Sequence, residues 1–175
     1  MVREISAGGV VIRKRNEEWW IAAIEPAGQS GADAVETSGA EQAAARQSKT
    51  SRRKPKAVLA LPKGLVDPNE KPLATALREV AEETGVSADP VAKLADIKYV
   101  YTRAWGDGQR VFKIVSFYLM LYRSGRVDDI TAEMRTEVAR ALWVRLEDAP
   151  ARLAYKGEKE MARRALEYVQ AHPEL

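Results

Sequence analysis

Three carboxylates fall within five residues in the stretch REVAEE, where Glu79, Glu82 and Glu83 follow Arg78. At about 3.6 residues per turn, Glu79 stands three and four positions before Glu82 and Glu83, so a helix places all three on one side. Like charges at this spacing repel one another, and they lie toward the C-terminal half of the helix, where the macrodipole favours cations. Arg78 can pair with one carboxylate but cannot neutralise three. A hard divalent cation such as Mg²⁺ or Mn²⁺, which takes oxygen ligands, would supply the missing positive charge. Glutamates are also good helix formers on a solvated face, so the choice rests on the surrounding residues. With no cysteine in the chain and one histidine, His172, near its end, chemistry has to come from carboxylates, lysines, arginines, hydroxyls and bound metal.

The element that positions the carboxylates is bounded by its own signals. Pro72 suits a first helical turn and Gly85 fits the residue just past the end, while Leu73, Leu77, Val80 and Thr84 form a separate stripe for packing on a sheet. Upstream, ISAGGVVIRKR and EWWIAAIE read as strands joined by a turn near Asn16 and Glu17, and KAVLALPKG reads as a short buried strand ending in a turn. Downstream, DIKYVYTRA, QRVFKIVSFYLMLYRS and ALWVRL read as strands, the middle one long enough to pair with two neighbours. GEKEMARRALEYVQAH closes as an amphipathic helix with Met161, Leu166 and Val169 among its inward positions. A mixed sheet with helices packed on its faces is the economical arrangement.

At 175 residues, 46% hydrophobic and 30% charged, the chain suits a single domain spanning 1–175. The net charge of +3 is not spread over it: residues 26–56 hold six basic and three acidic residues, leaving 22 of each sign elsewhere. That segment has no aromatic residue, leucine or isoleucine and reads as a flexible insertion. Its SRRKPK run reads as a solvated charge run rather than a nucleic-acid contact. The N-terminal apolar run is too short for a signal peptide, and nothing approaches the ~20 apolar residues of a membrane span. A cytoplasmic protein with no membrane partner is the expectation, and no signal sets an oligomeric state.

The spacing around the carboxylates resembles the signature of the Nudix (MutT-type) hydrolases. Gly64, Glu70, Arg78, Glu79, Val80, Glu82, Glu83, Gly85 and Val86 occupy all of its positions, a coincidence on the order of 10⁻⁸ by chance. The flanking SAGGVVI, LPKG and LWVRLEDAP are also similar to this family. The resemblance implies an α/β fold, an α/β/α sandwich with a mixed sheet flanked by helices, and the hydrolysis of a diphosphate linkage in a nucleoside diphosphate derivative. It implies Mg²⁺, or Mn²⁺, held by Glu79, Glu82 and Glu83 with a backbone carbonyl near Lys63 or Gly64, and a supporting role for Glu70 and Arg78. Bound cations suit such a substrate because they neutralise clustered phosphate charge and lower the pKa of an attacking water.

A family member often uses a further carboxylate, on a loop before the last strand, as metal ligand or general base. Glu137 fits that place best and Glu133 second, with Glu83 the other candidate base. Lys63 is placed to meet a phosphate oxygen, and Arg103, Arg110 and Lys113 are weaker candidates. Tyr99, Tyr101 and Trp105 could stack on a base, although two tyrosines at i, i+2 on a strand equally form a sheet surface. The LPKG lead-in resembles members that act on dinucleoside polyphosphates, with nucleoside triphosphates, including oxidised purines, the competing substrates. A non-catalytic nucleotide-binding domain is the alternative from another class, and the intact glutamate set argues for the enzyme.

Overall fold

The computed structural model describes residues 1–28, 57–104 and 106–175. Of the expected insertion this includes Pro26, Ala27 and Gly28; the SRRKPK run and Trp105 lie outside the described residues. Strand β1 (Val2–Arg15) turns through Asn16 and Glu17 into β2 (Glu18–Pro26), and both turn residues are left-handed, with φ of 51° and 64°. Two left-handed residues make the two-residue turn whose twist matches paired strands, so the hairpin closes where the sequence places it.

The KAVLALPKG segment differs from its expectation. Leu59 and Ala60 form isolated bridges to Leu153 and Ile24, and the regular strand, β3, is only Lys63–Leu65. Pro62 has no N–H to give to a ladder, and the residues before it alternate between two sets of partners. Helix α1 (Pro72–Thr84) follows, then β4 (Val86–Thr102), β5 (Arg110–Gly125), a 3₁₀ turn at Met134–Thr136, β6 (Val138–Arg145), the short α2 (Ala149–Arg152) and α3 (Lys156–Ala171). Strand β4 begins well before DIKYVYT because register shifts at Ser87/Ala88, Pro90/Ala92 and Lys93/Ala95 break the two-residue alternation on which a sequence reading depends.

The sheet runs in the order β4-β5-β1-β2-β6, with β3 also paired to β1. It is mixed: β1 lies parallel to β5 and antiparallel to β2 and β3. Strand β5 takes two neighbours, as its length suggests. The other edge of β1 is divided, with Ser6–Gly8 opposite β3 and Ile12–Arg15 opposite β2. Alternation along β1 sends Ala7 and Val11 into one apolar layer with Ala76 and Val80 of α1. Val10 and Ile12 enter the other, with Met161, Ala162, Ala165 and Val169 of α3. Leu166 packs at the margin of that second layer. Helices thus cover both faces in an α/β/α sandwich. Among the described residues no helix is long and apolar enough to cross a membrane.

Candidate active site

Helix α1 starts from Pro72, whose missing N–H costs nothing in the first turn, and ends at Gly85, whose φ of 83° is the left-handed cap. The preceding loop is tied down by Glu70. Its carboxylate accepts bonds from Asp67 N–H at 3.3 Å and Thr75 Oγ1 at 2.5 Å, and from Arg78 through Nε at 3.0 Å and Nη2 at 2.9 Å. Hydrogen bonding from Arg78, then from Thr75, pulls the Glu70 pKa down to about 2. Arg78 uses its remaining donors on the signature itself: Nη1 lies 2.9 Å from Glu79 Oε1 and 3.2 Å from Glu82 Oε2. The loop and the helix are therefore braced by one guanidinium, whose pKa is raised chiefly by its bonds to Glu70.

The three glutamates do not share one environment, although the helix spacing suggested one side for all. Glu79 and Glu83 are buried at 9% and 7% relative exposure, whereas the Glu82 side chain is 42% exposed. A rotation of about 100° separates adjacent helical residues, so Glu83 turns inward with Glu79 while Glu82 turns out toward Arg78. A Cβ on Gly64 would overlap the Glu79 carboxylate, so only glycine leaves room for that side chain. Glu83 Oε2 accepts the Lys63 N–H at 3.0 Å.

Burial, then the charge of Glu79, pushes the Glu83 pKa up to about 8, with Glu137 adding to the rise and Lys63 opposing it. Burial likewise raises the Glu79 pKa, against the pull of Arg78, and Glu82 and Glu137 contribute. Glu137 closes the 3₁₀ turn before β6 and is exposed, its carbonyl accepting the Ala27 N–H at 2.8 Å. Its charge acts on both buried glutamates, so these elements bring Glu137, Glu79 and Glu83 into one field. Glu133 lies exposed before the same turn.

Among the described residues no three carboxylates are gathered into a ready-made cation site. Arg78 Nη1 stands between the oxygens of Glu79 and Glu82 and supplies positive charge there. The donors are all hard oxygens, and burial raises the pKa of both Glu79 and Glu83, with the charge of Glu79 adding to the rise at Glu83. A divalent cation of the Mg²⁺ class relieves both features, so the residues fit such an ion.

Of the candidate substrate residues, Lys63, Tyr99, Tyr101, Arg103 and Lys113 lie on the face of the sheet that carries α3, whereas Arg110 alternates to the other face. Lys63 Nζ pairs with Glu158 Oε2 at 3.2 Å and stands 5.5 Å from the Tyr155 ring centre. Glu4 accepts the Tyr101 hydroxyl at 2.9 Å and Arg103 Nη2 at 3.2 Å. Lys113 sits in register between Glu4 and Tyr99, and Arg110 opens β5. Tyr99 packs against the α3-side core, its ring 6.2 Å from that of Tyr101 in a tilted pair.

The sequence model of the NUDIX domain matches residues 29–165. This chain belongs to the Nudix family. It is 34% identical over 168 residues to a protein of Mycobacterium tuberculosis (strain CDC 1551 / Oshkosh) named as a mutator protein, MutT4, covering 96% of this chain and 56% of that protein. The chain thus spans about half the length of the curated relative it matches. Its fold is similar to the NUDIX domain of Shewanella oneidensis NrtR complexed with ADP ribose (TM-score 0.63, 15% identity, 97% of this chain and 90% of that one). It is also similar to a C. elegans Ap4A hydrolase in a binary complex (TM-score 0.58, 17% identity, 96% and 98%).

Within this Nudix chain the sequence reading missed Glu158 and Glu4. Glu158 is buried at 4% and touches residues 97 and 95 positions upstream. In GEKEMARR it has the same local pattern as a solvated helix charge, so no short-range signal marks it. Glu4 precedes the apolar run of β1, and only its partners, Tyr101 on β4 and Arg103 just past it, distinguish it from an ordinary strand-end charge.

Proposed function

We propose that this Nudix chain is a pyrophosphohydrolase dependent on Mg²⁺ or Mn²⁺, built on a single domain spanning 1–175, that cleaves a diphosphate linkage in a nucleoside diphosphate derivative. The observation that carries the reading is the buried Glu79–Glu83 pair, braced by Arg78 and the Lys63 N–H and sharing its field with Glu137. Buried like charges are costly unless a cation compensates them. A phosphoric anhydride needs that same positive charge to be approached by a nucleophile.

When bound, the cation would neutralise the diphosphate and ease deprotonation of the attacking water. Glu79, Glu82 and Glu83 would hold it together with a main-chain carbonyl near Lys63 or Gly64, and Glu137 is the further candidate ligand. Glu70 and Arg78 keep the loop and the helix in register. The water's proton passes to Glu83 or Glu137; water oxygen bonds to one phosphorus, the bridging P–O bond breaks, and two phosphate-bearing products leave. Lys63, Arg103, Tyr99 and Tyr101 form the α3-side surface on which the rest of the substrate would lie.

Dinucleoside polyphosphates and nucleoside triphosphates are the favoured substrates. Oxidised purine nucleotides fall within the triphosphate arm; the mutator-named relative carries no substrate in its name. The test is release of phosphate and pyrophosphate from dinucleoside polyphosphates, nucleoside triphosphates, oxidised purine triphosphates, ADP-ribose and NADH, with Mg²⁺ and with Mn²⁺. Metal-dependent turnover that falls by about 10²–10⁴ in Glu83→Gln supports the reading. Metal and nucleotide binding without turnover would make the chain a nucleotide-binding Nudix domain instead.

A further inference from the structure

We propose that Glu158, in the first turn of α3, is a positioning residue for the glutamate pair: it fixes the segment whose Lys63 N–H orients Glu83. The importance of that orientation rests on the metal reading above. Both oxygens of Glu158 are engaged, Oε1 accepting the Leu61 N–H and Oε2 accepting Lys63 Nζ at 3.2 Å. Lys63 in turn donates its own N–H to Glu83 Oε2 at 3.0 Å. Glu158 is thus two contacts, through the single residue Lys63, from a proposed metal ligand, although it lies on a helix packed against the opposite face of the sheet.

The stretch it holds, residues 59–62, forms no regular strand and leads into β3, whose first residue, Lys63, pairs with Gly8 of β1. Residues 59–63 alternate between two supports. Ala60 exchanges hydrogen bonds with Ile24 at 2.9 and 2.8 Å, and Pro62 O accepts the Gly9 N–H at 3.2 Å, so the even positions are tied to the sheet. Leu59 O accepts the Ala154 N–H at 3.0 Å, and the Leu61 N–H and Lys63 Nζ bind Glu158, so the odd positions are tied to the C-terminal elements, Lys63 through its side chain while its backbone pairs with β1. Close packing brings this end of α3 against β4: a Cβ at Gly157 would stand 2.6 Å from Ile97 Cδ1.

A buried ion pair is weak evidence of stabilisation, since apolar residues of similar volume often serve as well. What the pair supplies that apolar residues cannot is a fixed direction for two donors on one segment. The charge at position 158 matters for Lys63: an amide there could still accept from Leu61 N–H but would offer no counter-charge to Nζ.

The test uses the full chain and Mn²⁺ alone as the probe, with free Mn²⁺ read by electron paramagnetic resonance beside a thermal midpoint for each variant. Glu158→Gln should weaken Mn²⁺ binding by about tenfold or more while the midpoint falls by only a few degrees. Lys63→Met, which keeps the main-chain N–H, should do the same, and the double variant should be no weaker than either single one, because both break one linkage. Glu158→Asp should recover part of the affinity. Parent-like Mn²⁺ affinity in Glu158→Gln, or additive losses in the double variant, overturns the proposal. If Glu158→Gln does not fold, parent-like affinity in Lys63→Met overturns it equally. A parent that binds Mn²⁺ but hydrolyses no diphosphate refutes the functional reading while the affinities still decide this one; a parent that binds no Mn²⁺ refutes both.

Discussion

Glu83 and Glu70 lie thirteen residues apart on one motif, yet burial and bonding move them in opposite directions from the ordinary 4.5, to about 8 and about 2. Their linkage to folding therefore has opposite signs. Glu83 takes up its proton more readily folded than unfolded, so in metal-free protein its contribution is most favourable below about 4.5 and is lost as pH rises through about 8. Thermal midpoints measured without metal should fall across this window, the fall should flatten in Glu83→Gln, and added Mn²⁺ should reverse it in the parent. Glu70 holds its charge more readily folded, so its contribution is present above about 4.5 and lost as pH falls through about 2. Acid titration of Glu70→Gln should show a shallower loss of stability over that lower range. At this scale REVAEE was legible because its chemistry is local: spacing alone sets Glu79 and Glu83 one turn apart. The contacts of Glu158 were not, since they depend on partners brought in by the tertiary fold, and the outward position of Glu82 depends on which face of α1 the sheet covers.

Elements supply the second level of constraint, and the end of α1 shows how. Thr84 O accepts the Asp128 N–H at 2.8 Å, and Asp128 Oδ1 accepts Arg135 Nη1 at 2.7 Å and the Ala141 N–H at 2.8 Å. Arg135 also donates to Asp128 O and Ala139 O at 2.7 and 3.1 Å. One aspartate thus joins α1, the turn that carries Glu137 and β6. The Arg135 bond also holds the Asp128 carboxyl below its usual range. The pair is solvent-screened, so Arg135→Ala should shift the urea midpoint only slightly. Its turnover should fall further than its stability, because Glu137 loses its footing. Gly85→Ala tests the other side of the same junction. Its φ of 83° and the carbonyls of Asp129 and Arg126, 2.6 and 2.7 Å from an added Cβ, predict a loss of about 2 kcal/mol or more in the same assay. The glycine was legible in the sequence as a helix stop. The aspartate–arginine joint was not, since neither residue interrupts a pattern or belongs to the signature.

At the scale of the whole molecule, the layers followed from periodicity: apolar alternation marked the strands, and the stripes of α1 and α3 marked two faces to cover. The order of strands and the divided edge of β1 were beyond reach, because the same alternation is compatible with many pairings. The excess basic charge lies in 26–56 and the described residues carry the candidate site without it, so replacing residues 29–56 by a short Gly-Ser linker should leave turnover of a small nucleotide within a few-fold. Steady-state kinetics on the shortened chain checks this; a collapse of turnover would give the segment a part in catalysis. The pairing of β1 with β5 carries a different kind of consequence. Parallel neighbours here join Val2 to Val111 and Ile12 to Leu121, across nearly two thirds of the chain. Closing so large a loop loses entropy before any contact repays it, and such non-local topologies fold slowly. The β1–β2 hairpin can form early, being local, but the platform under the glutamates must await β5 and then α3. During synthesis the signature helix therefore leaves the ribosome well before the structure that makes its carboxylates useful, and the competence of the site is among the last properties this chain acquires.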